Sequence, residues 1–290
     1  MAFAAVYLIW GSTYLAIRYA IQTLPPLWMA TARFLAGGLI LYGLSRLRGE
    51  PRPTAGGWKH AAVLGFMLIL CGNGAVVVAE QWVPSGLTAV IVSTVSVWVA
   101  IFSWLRPGGR RPTVQVAVGI VVGLAGVVML IGVGTIRGAG RVDPAGAIIL
   151  LVSTMSWAAG SLYSQRVQVA ASPLQASGMQ MISGGVFLAL AGGLAGEASQ
   201  LNLAGISTVS ILALAYLTIF GSVIAFTAYN WLLKATTPAR ASTYAYVNPA
   251  VAVLLGWAIA GEPITPRIIM SMVVIVAAVT IITMARRQTA

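Results

Sequence analysis

Long apolar runs are the feature that most constrains what this chain can fold into. Ten stretches of about 20 mostly apolar residues follow one another, separated by short polar connections. A helix of that length crosses the hydrocarbon core of a bilayer, where it satisfies its own backbone hydrogen bonds because lipid offers none. We therefore predict an all-α integral membrane protein with ten transmembrane helices. The stretches are 2–22, 26–45, 61–80, 86–105, 113–133, 144–165, 173–194, 208–230, 239–260 and 267–285.

The composition agrees with this prediction. Of the 290 residues, 59% are apolar and 8% are charged, against roughly 25% charged residues in an average soluble domain. No basic region precedes the first stretch, so we expect a retained span rather than a removed signal peptide. With Cys71 and His60 as the single cysteine and histidine, we expect no metal site and no other cofactor.

The basic residues are divided unevenly between the two sides of the predicted membrane. If ten helices cross, both termini and the even-numbered connections share one side, which carries twelve of the 17 Lys and Arg residues, against four on the other. The positive-inside rule then places both termini in the cytoplasm. The net charge of +12 therefore indicates topology and contact with anionic lipid headgroups, and no nucleic-acid partner is expected. The twelve are Arg46, Arg48, Arg52, Lys59, Arg106, Arg110, Arg111, Arg166, Lys234, Arg240, Arg286 and Arg287; the four are Arg18, Arg137, Arg141 and Arg267.

The two halves of the chain echo each other. A shift of 148 residues superposes Pro25 on Pro173, within similar Trp, Gly/Ser, Tyr and Arg patterns. Each half holds five of the ten stretches, and because five is odd the second half must enter the membrane in the opposite sense. We predict two inverted five-helix repeats, 1–142 and 143–290, related by a pseudo-two-fold axis in the membrane plane.

Three segments carry a resemblance to a known family. They are WGSTYLAIRYA in the first stretch, PPLWMATARFLAGGLIL in the second and YAYVNPAVAVLLGWAIAGEPIT in the ninth. Together they resemble the EamA-type members of the drug/metabolite transporter superfamily, which includes bacterial exporters of amino acids. The resemblance covers the whole chain. It implies a multi-pass protein of the bacterial inner membrane that exports amino acids or related metabolites. The first half lacks counterparts of Pro249 and Glu262, so no role of these two residues is doubled by symmetry.

Aromatic and polar side chains near the middle of a span are candidates for contacting a solute. Such groups are costly in lipid unless they face a partner or water. Three alternatives stay open, namely aromatic anchors at the membrane interface, close helix packing at small residues, and hydroxyls that bond to their own helix. The candidates for the apolar part of a solute are Trp10, Tyr14 and Trp157, and those for its polar part are Asn73, Ser96, Ser156, Tyr246 and Asn248.

Arg33 is the one formal charge well inside a predicted span. A guanidinium there could bind a substrate carboxylate through two parallel hydrogen bonds. It could instead pair with Glu80, or extend outward so that its head reaches the interface. We predict substrate binding and keep both alternatives.

Three further residues are candidates for gating. Glu80 and Trp82 end the third stretch, where they predict an extracellular gate or, alternatively, a solvated helix end with an aromatic anchor. Pro249 removes a backbone hydrogen-bond donor in the middle of the ninth stretch. This predicts a broken helix whose free backbone groups bind substrate or act as a hinge, or alternatively a structural kink.

Several function classes conflict with the sequence. The single aspartate, Asp143, argues against aspartyl intramembrane proteases and Asp-rich prenyltransferases, and no Walker-type loop supports ATP hydrolysis. No acid lies at mid-membrane depth, which favours facilitated movement of the solute down its own gradient over proton-coupled transport. Proton coupling through Glu80 or Glu262 stays open as an alternative.

We therefore predict a carrier rather than an enzyme. It would export amino acids and related small metabolites by alternating access through a central, aromatic-lined cavity. Its expected partners are this solute and membrane lipids; a monomer is compatible with the sequence, and the oligomeric state stays open. The alternatives are an intramembrane enzyme acting on lipid and a membrane scaffold or receptor without transport.

Overall fold

The computed structural model describes residues 2–105, 111, 113–131, 143–236, 241 and 244–287. Within these ranges the regular structure is entirely helical, and helices occupy each of the ten predicted stretches. Six of the described helices are long and apolar enough to cross a membrane, by length and composition. The structure thus bears out an all-helical membrane fold, while the number of spans and their inverted arrangement stay predictions.

We number the main helices in chain order. Helix α1 (2–20) consists of three consecutive segments, and two short 3-10 turns, Glu197–Gln200 and Leu203–Gly205, lie between α7 and α8. The other helices are α2 Pro26–Leu47, α3 Ala55–Ala79, α4 Ser85–Leu105, α5 Val114–Ile131, α6 Pro144–Ser164, α7 Pro173–Leu194, α8 Thr208–Ala235, α9 Tyr244–Ala260 and α10 Pro266–Arg287.

Polar side chains at helix starts set several boundaries. The hydroxyl of Thr54 accepts a hydrogen bond from the amide of Gly57 at 3.0 Å, so α3 begins at Ala55, earlier than the predicted start at residue 61. The carboxylate of Asp143 accepts from the amides of Ala145 and Gly146 at the start of α6. Each cap satisfies amides that have no acceptor inside the first turn of their helix.

Two helices contain a long π-helical stretch that the apolar pattern does not predict. Residues Gly65–Gly74 of α3 and Leu217–Phe226 of α8 are π-helical over 10 residues each, and a shorter stretch, Ala5–Ile9, lies in α1. A π-helical turn is wider than an α-helical turn, and such turns are frequent at functional sites. The stretches in α3 and α8 both adjoin the cavity described below.

Glycines allow α2 and α7 to pack backbone against backbone. A Cβ atom on Gly38 would lie 2.8 Å from the backbone nitrogen of Ile182, and one on Gly185 would lie 2.6 Å from the side chain of Leu35. In contrast, Gly43, farther along α2, has no atom within 4 Å of its would-be Cβ. Small residues at the crossing point therefore fix the approach of these two helices.

The outer surface of the bundle is apolar. Leu39, Leu190 and Leu254 are each more than half exposed, on α2, α7 and α9. A soluble protein would bury such a continuous surface, whereas the hydrocarbon of a bilayer covers it at no cost. The core lies between the helices and includes Phe34 and Met181.

Polar contacts identify the two ends of the bundle. At one end Arg18 forms an ion pair with Glu262, and we name it the Glu262 end. At the other, the ammonium of Lys234 donates to the carbonyls of Ser164 and Val167, and we name it the Lys234 end.

Candidate functional site

A cavity lies among helices α1, α2, α3, α4, α6 and α9. Its empty volume is about 530 Å³, including the part that is open at its mouth. Five of the nine residues predicted to contact a solute line it, namely Trp10, Tyr14, Arg33, Asn73 and Trp157.

Three aromatic side chains, Trp10, Trp157 and Tyr244, line the cavity on the side of the Lys234 end, and each contacts the ring of a fourth, Tyr229. We name these four residues the aromatic cluster. The ring of Trp10 lies 5.5 Å from that of Trp157 and 5.3 Å from that of Tyr244, both edge to face, and 5.0 Å from that of Tyr229. The indole N–H of Trp157 donates to the hydroxyl of Tyr229 at 3.1 Å. Edge-to-face contacts of this kind stabilise a rigid apolar wall.

The π-helical stretches supply hydrogen-bond acceptors to the cavity walls. The indole N–H of Trp10 donates to the carbonyl of Gly221 at 3.1 Å, and the hydroxyl of Ser153 donates to the carbonyl of Gly72 at 2.8 Å. The amide of Asn73 donates to the carbonyl of Leu68 at 3.1 Å. The wider turns thus let three polar side chains stay in an apolar interior with their donors satisfied.

Arg33 is buried in the cavity wall with part of its hydrogen-bonding capacity unused. Its side chain is 3% exposed, and its Nε donates to the hydroxyl of Ser222 at 2.9 Å. Its Nη1 has no hydrogen-bond partner among the described residues. Arg33 therefore does not extend to the interface. It also forms no ion pair with Glu80, since Arg18 and Glu262 form the one ion pair in the described part of the chain.

Glu80 is buried at the end of α3, and not solvated. It is 7% exposed, and it follows Val76, which lines the cavity, by one helical turn. Trp82 is 51% exposed, as an interface anchor would be. Of the two residues proposed as an outer gate, Glu80 alone faces the interior.

The ion pair at the Glu262 end was not foreseen from the sequence. Besides Arg18, the carboxylate of Glu262 accepts from the amide of Ser85 at 2.8 Å, from its hydroxyl at 2.7 Å and from the amide of Gly86 at 3.0 Å. A carboxylate at this place satisfies the first amides of α4 and interacts favourably with its dipole. Glu262 consequently ties α1, α4 and the connection between α9 and α10 together.

Three further predicted contact residues, Ser96, Ser156 and Asn248, lie outside the lining of this cavity. Ser156 donates to the carbonyl of Met67 at 2.9 Å and so joins α6 to α3. The amide nitrogen of Asn248, oriented toward its acceptors, donates to the carbonyls of Tyr7 and Tyr244. Ser96 is buried, and its hydroxyl has no partner among the described residues.

Two further predictions for the ninth stretch concern Pro249 and Tyr246. Pro249 lies inside α9, which continues through it as one helix from Tyr244 to Ala260, so the predicted break is absent. The proline ring is buried, and it leaves the carbonyl four residues earlier without its helical donor. The side chain of Tyr246 lies outside the described residues.

Sequence reasoning missed part of the lining. Thr13, Thr154 and Tyr244 face the cavity, although the two threonine hydroxyls donate to carbonyls of their own helices. Thr13 directly precedes Tyr14 and lies one helical turn after Trp10, and this closeness to two predicted residues is the signal that identifies it in retrospect. Tyr244 begins a helix, where an aromatic residue is ordinarily taken as an interface anchor.

Comparison with known protein families shows which family the chain belongs to. The sequence profile of the EamA-like transporter family matches residues 1–132 and 144–284. The chain belongs to the EamA-like transporter family. The resemblance drawn from the three sequence segments is therefore confirmed, and the protein is a membrane transporter with several apolar helices.

Two relatives of this EamA-like transporter are named as transporters. The "Uncharacterized inner membrane transporter YedA" of Escherichia coli is 42% identical over 287 residues, covering 98% of this chain and 90% of the relative. The "Uncharacterized transporter YvbV" of Bacillus subtilis is 23% identical over 279 residues, covering 96% of this chain and 89% of the relative. A solved crystal structure aligns with a TM-score of 0.69 at 20% identity, over 99% of this chain and 97% of that chain, which shows the fold alone.

Proposed function

We propose that this EamA-like transporter exports amino acids and related small metabolites by alternating access through the described cavity. The observation that carries the proposal is the pairing of an aromatic wall with a buried guanidinium that has a free donor. Trp10 and Trp157 offer an apolar surface to a side chain, and Nη1 of Arg33 offers a charged donor to a carboxylate.

Alternating access is commonly built on two structurally equivalent halves of opposite orientation, and two inverted repeats would provide them. The π-helical stretches Gly65–Gly74 and Leu217–Phe226 have equal length and lie in the third and eighth helices, which are equivalent in two five-helix repeats. The family profile also matches in two consecutive segments. Both observations support repeats 1–142 and 143–290.

Alternating access needs a closure on each side of the cavity. The aromatic cluster lies toward the Lys234 end, and the contact of Arg18 with Glu262 lies toward the opposite end. Opening one closure while the other holds would expose the cavity to one side at a time. Because most basic residues lie in the connections at the Lys234 end, we assign this end and both termini to the cytoplasm.

A reconstituted flux assay tests the proposal. Purified protein in liposomes loaded with unlabelled amino acids should exchange them for external tritium-labelled neutral, aromatic, basic or acidic L-amino acids. The corresponding amines, which lack the carboxylate, should exchange poorly. No exchange of any amino acid would overturn the proposal, and it would leave binding without transport, or lipid chemistry, as the remaining functions.

Replacing Arg33 tests its predicted role within the same assay. We expect Arg33→Gln to lower exchange by about tenfold to a hundredfold, because a hydrogen bond to a charged group contributes about 1.5–3 kcal/mol. The control is Arg46→Gln, which removes a guanidinium bound to the carbonyl of Glu50 at the Lys234 end, and which should exchange normally. Equal flux in both variants, with amines carried as well as amino acids, would exclude Arg33 as the carboxylate partner.

A further inference from the structure

The five acidic residues of the chain divide into four with partners and one without. The carboxylates of Asp143, Glu197 and Glu262 accept backbone amides at helix starts, and Glu50 accepts from the hydroxyl of Ser172 at 2.7 Å. Neither oxygen of Glu80 has a hydrogen-bond partner among the described residues. Glu80 is thus the exception.

Glu197 shows that burial alone does not explain the difference. It is 8% exposed and Glu80 is 7% exposed, yet the carboxylate of Glu197 accepts from the amides of Leu27 at 2.8 Å and Trp28 at 3.2 Å. A buried carboxylate with such donors can stay ionised, whereas one without a donor or an ion pair is costly in its charged form. The neutral acid is the form of Glu80 that this environment tolerates.

Charged and titratable groups surround Glu80 without bonding to it. Arg18 and Tyr14 of α1, Arg33 of α2 and Glu262 interact with it electrostatically over longer distances. Asp143, at the start of the neighbouring helix α6, is exposed and bound to its own helix amides. No cation lies within ion-pair distance of Glu80 in the described part of the chain.

Glu80 also occupies a position between the cavity and the closure at the Glu262 end. Val76, one turn earlier on α3, lines the cavity, so Glu80 lies roughly 6 Å farther along the helix axis. Arg18, which directly follows the cavity-lining Ile17, holds Glu262 at that closure. Opening the closure would therefore admit water to Glu80 and free a guanidinium near it.

We propose that Glu80 is the proton-binding site of this transporter, and that it carries one proton across the membrane in each transport cycle. While the closure at the Glu262 end is open, water and Arg18 stabilise the carboxylate, which takes up a proton from the medium on that side. The closure then forms around the neutral carboxylic acid. When the cavity opens toward the Lys234 end, the O–H bond breaks and the proton passes to water that reaches Glu80 through the cavity. The coupling of this step to solute movement rests on the function proposed above, whereas the protonation itself does not.

Infrared spectroscopy tests the protonation without any solute. At neutral pH the protein should show the carbonyl stretch of a protonated carboxyl group, which is resolved from that of an ionised carboxylate. Glu80→Gln should abolish this band, and Glu197→Gln, which replaces the equally buried but bonded acid, should retain it. Absence of the band from the unmodified protein, or its persistence in Glu80→Gln, would overturn the proposal even if transport is established.

A pH-gradient assay in liposomes tests the coupling. The probe is a mixture of tritium-labelled L-amino acids, and a pH-sensitive dye inside the liposomes follows protons. A gradient of one pH unit should drive up to about tenfold accumulation by the unmodified protein and by Glu197→Gln. Glu80→Gln should still exchange amino acids at equal pH but should neither accumulate them nor move protons.

The outcomes separate the two proposals. If the unmodified protein exchanges amino acids but ignores the gradient, or if Glu80→Gln responds to it fully, Glu80 is not the coupling site and the exporter function stands. If no amino acid moves under any condition, the exporter function fails, and the infrared band decides the protonation of Glu80 by itself.

Discussion

At the scale of single residues, the hydrogen-bond partners of the polar side chains distinguish residues that could bind a solute from residues that only join helices. Trp10, Asn73 and Trp157 face the cavity with their donors satisfied, while Arg33 retains an unpaired donor. An unpaired buried donor is costly, and its presence at a cavity wall supports the proposal that Arg33 binds a carboxylate.

Replacing Trp157 should lower transport without preventing folding. Its ring forms the cavity wall and contacts Trp10 and Tyr229, so Trp157→Ala should reduce amino-acid exchange by about tenfold, whereas Trp157→Phe should keep most of it. Trp257→Ala removes an indole that is 58% exposed on α9 and serves as the control. Flux in liposomes is compared at equal amounts of inserted protein. Unchanged flux in Trp157→Ala would assign this residue to packing.

Some residues of the cavity wall could be predicted from the sequence, whereas the pairing of other polar residues could not. Trp10 and Tyr14 recur at helical spacing, and a periodic stripe identifies a face before the fold is known. Ser156 and Asn248 look equally suited to bind a solute, but Ser156 donates to a carbonyl of α3, and the amide of Asn248 donates to a carbonyl of α1 and to one of its own helix. Such pairings depend on which helices are neighbours, and one sequence does not contain that information.

At the scale of helices, the apolar runs predicted where each element lies but not its internal geometry. The starts of α2, α6 and α7 lie at the predicted positions because a proline begins each helix. The π-helical stretches of α3 and α8 were not predicted, because a widened turn has the same apolar composition as the α-helix around it.

A glycine substitution tests the packing of α2 against α7. Gly38→Leu would place side-chain atoms where the backbone of Ile182 lies, and we expect a loss of about 3 kcal/mol in the free energy of unfolding. Gly43→Leu, on the same helix with open space around it, should change stability by less than about 0.5 kcal/mol. Thermal unfolding in detergent measures both. Similar melting temperatures for the two variants would contradict the close approach of these helices.

At the scale of the whole molecule, the fold class followed from the sequence more securely than the topology. Apolar runs and a low charge fraction require a helical membrane protein, and family membership agrees. The orientation depends on the distribution of basic residues, several of which, including Arg110, lie outside the described residues. It therefore stays a prediction.

Labelling from opposite sides of the membrane tests that orientation. In a Cys71→Ser background, Arg48→Cys lies in an exposed connection predicted to be cytoplasmic, and Ser199→Cys lies in one predicted to face outward. An impermeant maleimide added to intact cells should label the second variant alone, and it should label both after the membrane is permeabilised. Labelling of both in intact cells would exclude the inverted arrangement of the two halves.

The aromatic cluster gives the molecule a built-in optical signal. The rings of Trp10 and Trp157 lie 5.5 Å apart, and the indole of Trp157 is hydrogen-bonded to the hydroxyl of Tyr229, so we expect the emission of both indoles to depend on this packing. Separation of these rings would alter the emission spectrum. Intrinsic fluorescence can thus follow the motion of this wall in real time, with no attached dye.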